Sequence, residues 1–447
     1  MQQLLMKIKL PSIKSATTTA TLLTFGFSIL VLVINMLTGV LTARYLGPTG
    51  RGEQTAMVIW SQFLAFSMAF GIPSALIFNI KKFTANAAQL YVTSLRMGVA
   101  FGLLAMGIGI VLLPIWLKSF SDPVILFAQC SMVLCPFFVI SQINNAAMQV
   151  RGEYKQYNKQ RYLAPLCTLT GLAILIVTGT MNAYTSALAY LIPSIPFITA
   201  TTIRLLRAYK PIEKIKGWSS FRKLISYGMG SYGNDLMGNV SYYVDQIIIA
   251  GMLNAKHLGL YAVAVSLSRM VNIFSTSIIA VLFPKASGLE KEQAVVLTFR
   301  VFRISTFVAL LASGCLMVVA PFVFHVLYGP DFKEALGVFR LLLLEVSIGG
   351  GTMVLAQVFM AMGKPKIVTL LQALGLLLVI PLLMVLVPKF GLIGAGAAML
   401  SSVLLRFCFI LLNVRFILRM KIPPLVVTMD DLRWLKSMLD RKRGAPI

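Results

Sequence analysis

Five ionisable side chains stand inside long apolar runs: Asp235, Asp245, Arg269, Glu345 and Arg406. A charged group at the centre of a bilayer costs about 2.5–3.5 kcal/mol on insertion scales, so each needs a partner, water or a task. Arg269 has the richest context. Ser266, Arg269, Asn272 and Thr276 recur at a spacing that keeps them on one helical face. The run before it carries a matching stripe of Ser231, Asp235, Asn239, Tyr242 and Gln246, and the first run carries Ser28, Asn35, Thr38 and Thr42. Two roles are open for Arg269: a contact for an anionic ligand, since a guanidinium forks well onto paired oxygens, or a structural pair with Asp235 or Asp245. The two aspartates are about 80° from a common face on an ideal helix. Asp235 lies on the polar stripe and is the better candidate for coupling to a cation or proton, while Asp245 can pair with a neighbouring helix. Glu345, with Gly349 and Thr352 on its face, is a rival coupling site. Arg406, with Ser402 and Asn413, is a candidate for an ion pair with Glu345.

The elements that must carry these residues are transmembrane helices. Of 447 residues, 58% are hydrophobic, and the mean hydropathy is +0.85. A crossing needs roughly 20 apolar residues. Hydropathy predicts twelve spans near residues 17–43, 54–80, 91–117, 122–150, 159–181, 184–206, 223–250, 257–284, 298–327, 335–362, 366–388 and 391–419. The 40 Lys and Arg against 14 Asp and Glu give a net charge of +26, and the cations are sorted by side. Counting cations near span ends with the adjoining side, the N-terminus, the even-numbered gaps and the C-terminal segment hold 31 and the odd-numbered gaps 7, which leaves Arg269 and Arg406 within spans. Excess cations mark cytoplasmic loops, so both termini are expected in the cytoplasm.

Composition also excludes functions. A pI near 10.1 in a soluble domain would suggest nucleic acid. Here the cations are divided among short loops, where they set topology and touch anionic lipid, and no nucleic-acid partner is expected. The five cysteines lie within predicted spans without metal-ligand spacing, so neither a disulfide framework nor a metal site is expected. Catalytic and nucleotide-binding motifs are absent. The outer loops hold only Glu53, Asp122, Asp331 and Glu334, widely scattered, so no catalytic carboxylate pair and no enzyme is expected. No cofactor is implied beyond a coupling Na⁺ or H⁺.

The chain repeats with an offset of 207, which aligns Leu46 with Leu253 and Gly52 with Gly259. The expected division is an N-terminal six-helix half (1–209), a cytoplasmic basic linker (210–222), a C-terminal six-helix half (223–421) and a cytoplasmic tail (422–447). Halves with even helix numbers share one orientation, as in parallel-repeat transporters. In the tail, Thr428 and Asp431 form a capping-box pattern, and Leu432, Trp434, Leu435 and Leu439 share one side, as in an amphipathic helix on the inner leaflet.

Three segments carry a family resemblance: ARYLGPTGRGEQTA (43–56), QVRGEYKQYN (149–158) and LNAKHLGLYAVA (253–264). They resemble the Wzx-like polysaccharide-biosynthesis flippases of the multidrug/oligosaccharidyl-lipid/polysaccharide exporter superfamily. The resemblance implies an all-α polytopic protein of two six-helix bundles around a central cavity lined by the first, second, seventh and eighth helices. It implies a bacterial plasma-membrane flippase that moves undecaprenyl-pyrophosphate-linked oligosaccharide outward by alternating access. A polysaccharide polymerase and glycosyltransferases would be its partners. The related lipid II flippases carry first-helix charges, where this chain has Asn35, and two further C-terminal helices. On this reading Arg269 contacts the head group, Asn272, Asn239, Gln246 and Asn35 line its path, and Arg44 and Arg51 flank the exit. The alternative is a cation-coupled small-molecule exporter of the same superfamily.

Overall fold

The computed structural model describes residues 16–209, 217–287, 289–420, 422–431 and 433. Most of the basic linker, the N-terminal lysines and the tail's Leu432, Trp434, Leu435 and Leu439 lie outside these residues. Among the described residues the fold is entirely helical. The helices are α1 (Ala16–Ser67), α2 (Ile72–Lys82), α3 (Ala87–Trp116), α4 (Asp122–Ser131), α5 (Cys135–Val150), α6 (Tyr154–Val177) and α7 (Ala183–Leu191). They continue as α8 (Ser194–Ala208), α9 (Gly217–Met252), α10 (Ala255–Ser268), α11 (Asn272–Ala286), α12 (Lys291–Leu327), α13 (Ala335–Ala361) and α14 (Pro365–Phe416).

Nine described helical segments are long and apolar enough to cross a membrane. Two of them are each a pair of helices parted by a glycine in the left-handed region, Gly47 at φ 66° and Gly391 at φ 57°. α9 is long enough, but its polar stripe lowers its hydropathy. With these divisions every expected span has its helix, some in two pieces. α1 breaks before Gly71, α4 meets α5 through a short 3₁₀ turn at Met132–Leu134, and α10 meets α11 through another at Arg269–Val271.

Large apolar side chains at the helix crossings form the core, among them Tyr91, Tyr261, Phe324, Phe332 and Leu76. A second cluster around Phe299, Phe302, Phe359 and Ile410 joins α11 to α14. Small residues set the closest approaches. Gly102 lies against the Pro136 backbone and Gly396 against Leu341, as close helix contacts require. Gly391 does not share that role: it makes the turn, and a side chain there would meet open space.

The tightest crossing joins the segments before and after the basic linker, the two expected halves. A Cβ on Gly52 would lie 1.7 Å from the Ala255 carbonyl oxygen, and one on Gly259 would lie 1.9 Å from that of Pro48. The offset of 207 carries Pro48 to Ala255 and Gly52 to Gly259, so each contact is the counterpart of the other. A second glycine crossing ties Gly71 to Gly228, where a Cβ on Gly71 would lie 2.3 Å from the Gly228 carbonyl. At and between these crossings α9 is fastened to the segments before the linker. Trp116 Nε1 donates to the Ile247 carbonyl at 2.8 Å, and Tyr243 OH donates to Gln62 at 3.3 Å. Phe78 stacks on Tyr227 at 4.2 Å.

Candidate functional site

Two polar clusters lie on α9, on different faces. The first is built around Arg269. Its Nη2 donates to the Tyr242 carbonyl at 2.9 Å and to Asp245 Oδ2 at 3.2 Å. The guanidinium also lies over the Tyr242 ring, 4.4 Å from its centre, an attractive placement for a cation. Asp245 is 1% exposed and Arg269 22% exposed. The fully buried Tyr261 donates its hydroxyl to Asp245 Oδ2 at 3.0 Å, and the Gln246 backbone N–H donates to Oδ1 at 2.9 Å. Glu345 on α13 lies within electrostatic reach of Arg269 without an ion pair. Nη1 and Nε of Arg269 make no hydrogen bond among the described residues.

The single helical face expected around Arg269 is interrupted at that residue. A 3₁₀ turn begins there and α11 restarts at Asn272. Ser266 is spent on the Val263 carbonyl, whereas Asn272 stays exposed. Mid-helix 3₁₀ turns often mark a hinge.

The second cluster surrounds a cavity of about 220 Å³ between the halves, lined by Phe66, Gly71, Ser74, Gln142, Tyr232, Asp235 and Asn239, among others. Asp235 accepts from the Ser74 hydroxyl at 3.0 Å. Asn239 donates to Ser67 Oγ at 2.7 Å and to the Phe63 carbonyl at 3.1 Å. Gln142 Nε2 is buried there without a hydrogen-bond partner among the described residues. Ser74 and Gln142 were not candidates from sequence, because a lone polar residue in an apolar run makes no pattern.

The remaining candidates lie apart from both clusters. Asn35 is exposed on α1. Arg44 donates to the Val326 carbonyl, a contact between the halves. Arg51 donates to Gln54 and sits 5.9 Å from the centre of the Tyr190 ring. The Glu345–Arg406 ion pair expected from sequence does not close. No carboxylate among the described residues comes within 4.0 Å of Arg406, and its buried Nε has no hydrogen-bond partner. The arginine stem instead folds over Gly375. No cluster of three or more His, Cys, Asp or Glu able to hold a metal occurs among the described residues.

The two best motifs have structural work. In RYLGPTGRG, Gly47 makes the turn and Gly52 makes the crossing. In QVRGEYKQYN, Gly152 takes φ 69°, and Glu153 is clamped by Arg151 at 2.5 Å and Arg204 at 2.6 Å. Burial pushes the Glu153 carboxyl up, but these hydrogen bonds outweigh it and hold the group below its usual range.

Comparison with known proteins places this geometry. A family model described as polysaccharide biosynthesis protein matches residues 40–336. A candidate O-antigen transporter of Shigella flexneri is 23% identical over 289 residues, covering 61% of this chain and 66% of that protein. An uncharacterized membrane protein of Methanocaldococcus jannaschii is 23% identical over 238 residues, 50% of this chain and 46% of that protein. The matches thus span less than two thirds of either relative. Among solved structures, the lipid II flippase MurJ in an inward closed conformation superposes with a TM-score of 0.75 at 13% identity, covering 95% of this chain and 94% of that one. An inward-facing multidrug resistance MATE family transporter of the MOP superfamily gives 0.68 at 14% identity, covering 88% and 96%. At these identities the two structures establish the fold.

Proposed function

Because this chain belongs to the polysaccharide biosynthesis protein family, we propose that it is a flippase for a prenyl-pyrophosphate-linked oligosaccharide, moved from the cytoplasmic to the outer leaflet. The observation that carries this reading is Arg269, a membrane-embedded guanidinium with two nitrogens unbonded among the described residues and part of its surface exposed. Its free nitrogens suit a pyrophosphate, the one feature common to such substrates whatever their sugars. The lipid tail stays in the bilayer, since each buried methylene is worth about 0.8 kcal/mol. Only the head group travels between the halves. An inside-negative potential favours outward movement of an anion by about 2.3 kcal/mol per charge per 100 mV.

Both termini face the cytoplasm in this reading. The Gly52–Gly259 crossing then closes the outer side and the Gly71–Gly228 crossing lies toward the inner side. Asp235, in the cavity between the halves, is the coupling residue for Na⁺ or H⁺. Asn239, Gln246, Asn272 and Asn35 offer polar contacts along the route, and Arg44 and Arg51 stand at its outer end.

Reconstituted vesicles carrying a fluorescent prenyl-pyrophosphate oligosaccharide test the proposal. The wild-type protein should equilibrate the lipid between leaflets. Arg269→Ala should abolish flipping at normal expression, and Arg269→Lys should restore only part, because an ammonium is a point charge. An alanine variant that flips normally overturns the assignment. Uptake of a cationic dye without lipid flipping would favour the exporter.

A further inference from the structure

We infer that Asp245 is an exchangeable counterion of Arg269, neutralising the guanidinium in the empty carrier and releasing it to the pyrophosphate of the incoming head group. The inference rests on the assignment of Arg269 as the pyrophosphate contact.

Four features of the site carry it. The pair is joined at a single point, Nη2 to Oδ2 at 3.2 Å, and is not a fork. The two partners are unequally placed, the arginine side chain being 22% exposed and the aspartate 1%, so only the arginine presents surface to an incoming ligand. Asp245 also keeps other donors if Arg269 leaves, the Tyr261 hydroxyl at 3.0 Å and the Gln246 backbone N–H at 2.9 Å. A buried carboxylate stripped of every donor would be prohibitive, whereas one that retains two hydrogen bonds is not. Finally, Arg269 opens the 3₁₀ turn between α10 and α11, a point where the backbone can adjust.

The protein contains a contrasting pair of the same chemistry. Arg303 forks onto Asp431 with two contacts of 2.6 Å, and the two side chains are 8% and 0% exposed. That pair is a permanent clamp. Arg269 and Asp245 have the geometry of a pair that opens.

The test uses the full chain in lipid nanodiscs, with inorganic pyrophosphate as the probe and inorganic phosphate for comparison. Arg269→Ala should lose pyrophosphate binding. Asp245→Asn removes the competing charge and should bind pyrophosphate roughly tenfold more tightly, the scale of one charge-assisted hydrogen bond. Tyr261→Phe has the opposite sign, because Asp245 then depends more on Arg269, and pyrophosphate should bind several-fold more weakly. A purely structural pair would weaken binding in both variants. If Arg269→Ala loses binding while Asp245→Asn weakens it or leaves it unchanged, the exchange is wrong and the assignment of Arg269 stands. If Arg269→Ala binds like wild type, both fall. Should Asp245→Asn fail to fold, Asp245→Ser takes its place in the same assay, and weaker or unchanged pyrophosphate binding there overturns the exchange.

Discussion

At the scale of single residues, charge in this protein is placed by how much water it can reach. Asp431 makes the case outside the membrane. Burial pushes its carboxyl up, but Arg303, with Thr428, holds it well below the usual carboxylate range. Thr428 donates its amide at 3.0 Å and its hydroxyl at 2.9 Å, and the Arg303 guanidinium also reaches the Pro424 carbonyl at 2.9 Å. A depressed native pKa stabilises docking above the unfolded value, about 3.9. That stabilisation is lost as pH falls through the folded value. The segment at 422–431 should therefore stay docked on α12 at any pH near neutral. Asp431→Asn should free it at all pH values, read as increased mobility of a spin label at the exposed position 426. A label equally immobile in that variant would refute the clamp. Of these residues the sequence announced Thr428 and Asp431, through the capping-box spacing. Their partner Arg303 was hidden, because it is remote in the chain and resembles any other loop-proximal cation. The same limit applied to Arg269, whose choice of Asp245 over Asp235 depends on which face of α9 meets α10.

At the scale of elements, hydropathy located the helices because a bilayer forces a length and a composition on every crossing. It could not locate the interruptions within them. Gly47 and Gly71 are marked by glycine and a nearby proline, but the turn at Arg269–Val271 has neither, and 3₁₀ and α backbones differ too little to show in residue choice. The internal offset was more informative than any single motif. It paired Gly52 with Gly259 before anything indicated that the two glycines touch. Their contact fixes a strong expectation, because a Cβ on either would enter a backbone carbonyl rather than a flexible side chain. Gly52→Ala and Gly259→Ala should each destabilise the protein by about 1–3 kcal/mol, as overpacking does. Thermal melting of the purified protein measures this. Gly107→Ala, in open space on α3, is the control and should melt like wild type. If all three melt alike, the crossing does not hold the halves together.

At the scale of the whole molecule, the halves meet at two separated places with a polar cavity between them. Near one end stand Gly52–Gly259, Arg44 against Val326 and the Ser119 hydroxyl donating to the Leu253 carbonyl at 2.8 Å. Toward the other stand Gly71–Gly228, the stacked Phe78 and Tyr227, and Asn79 donating to the Lys223 carbonyl at 3.3 Å. A carrier working by alternating access must break these contacts in turn. Packed glycine crossings favour discrete closed and open arrangements over gradual deformation. The prediction is that a reversible clamp at either place stops transport. In a background free of Cys130, Cys135, Cys167, Cys315 and Cys408, Phe78→Cys with Tyr227→Cys should accept a short reducible thiosulfonate cross-linker. Ser119→Cys with Leu253→Cys provides the same clamp at the opposite end. Either cross-link should abolish lipid flipping in vesicles, and reductant should restore it. Neither pair touches Arg269 or Asp235, so lost activity would report motion and not damage to the site. Full flipping with either clamp closed would mean that the halves do not separate there during transport.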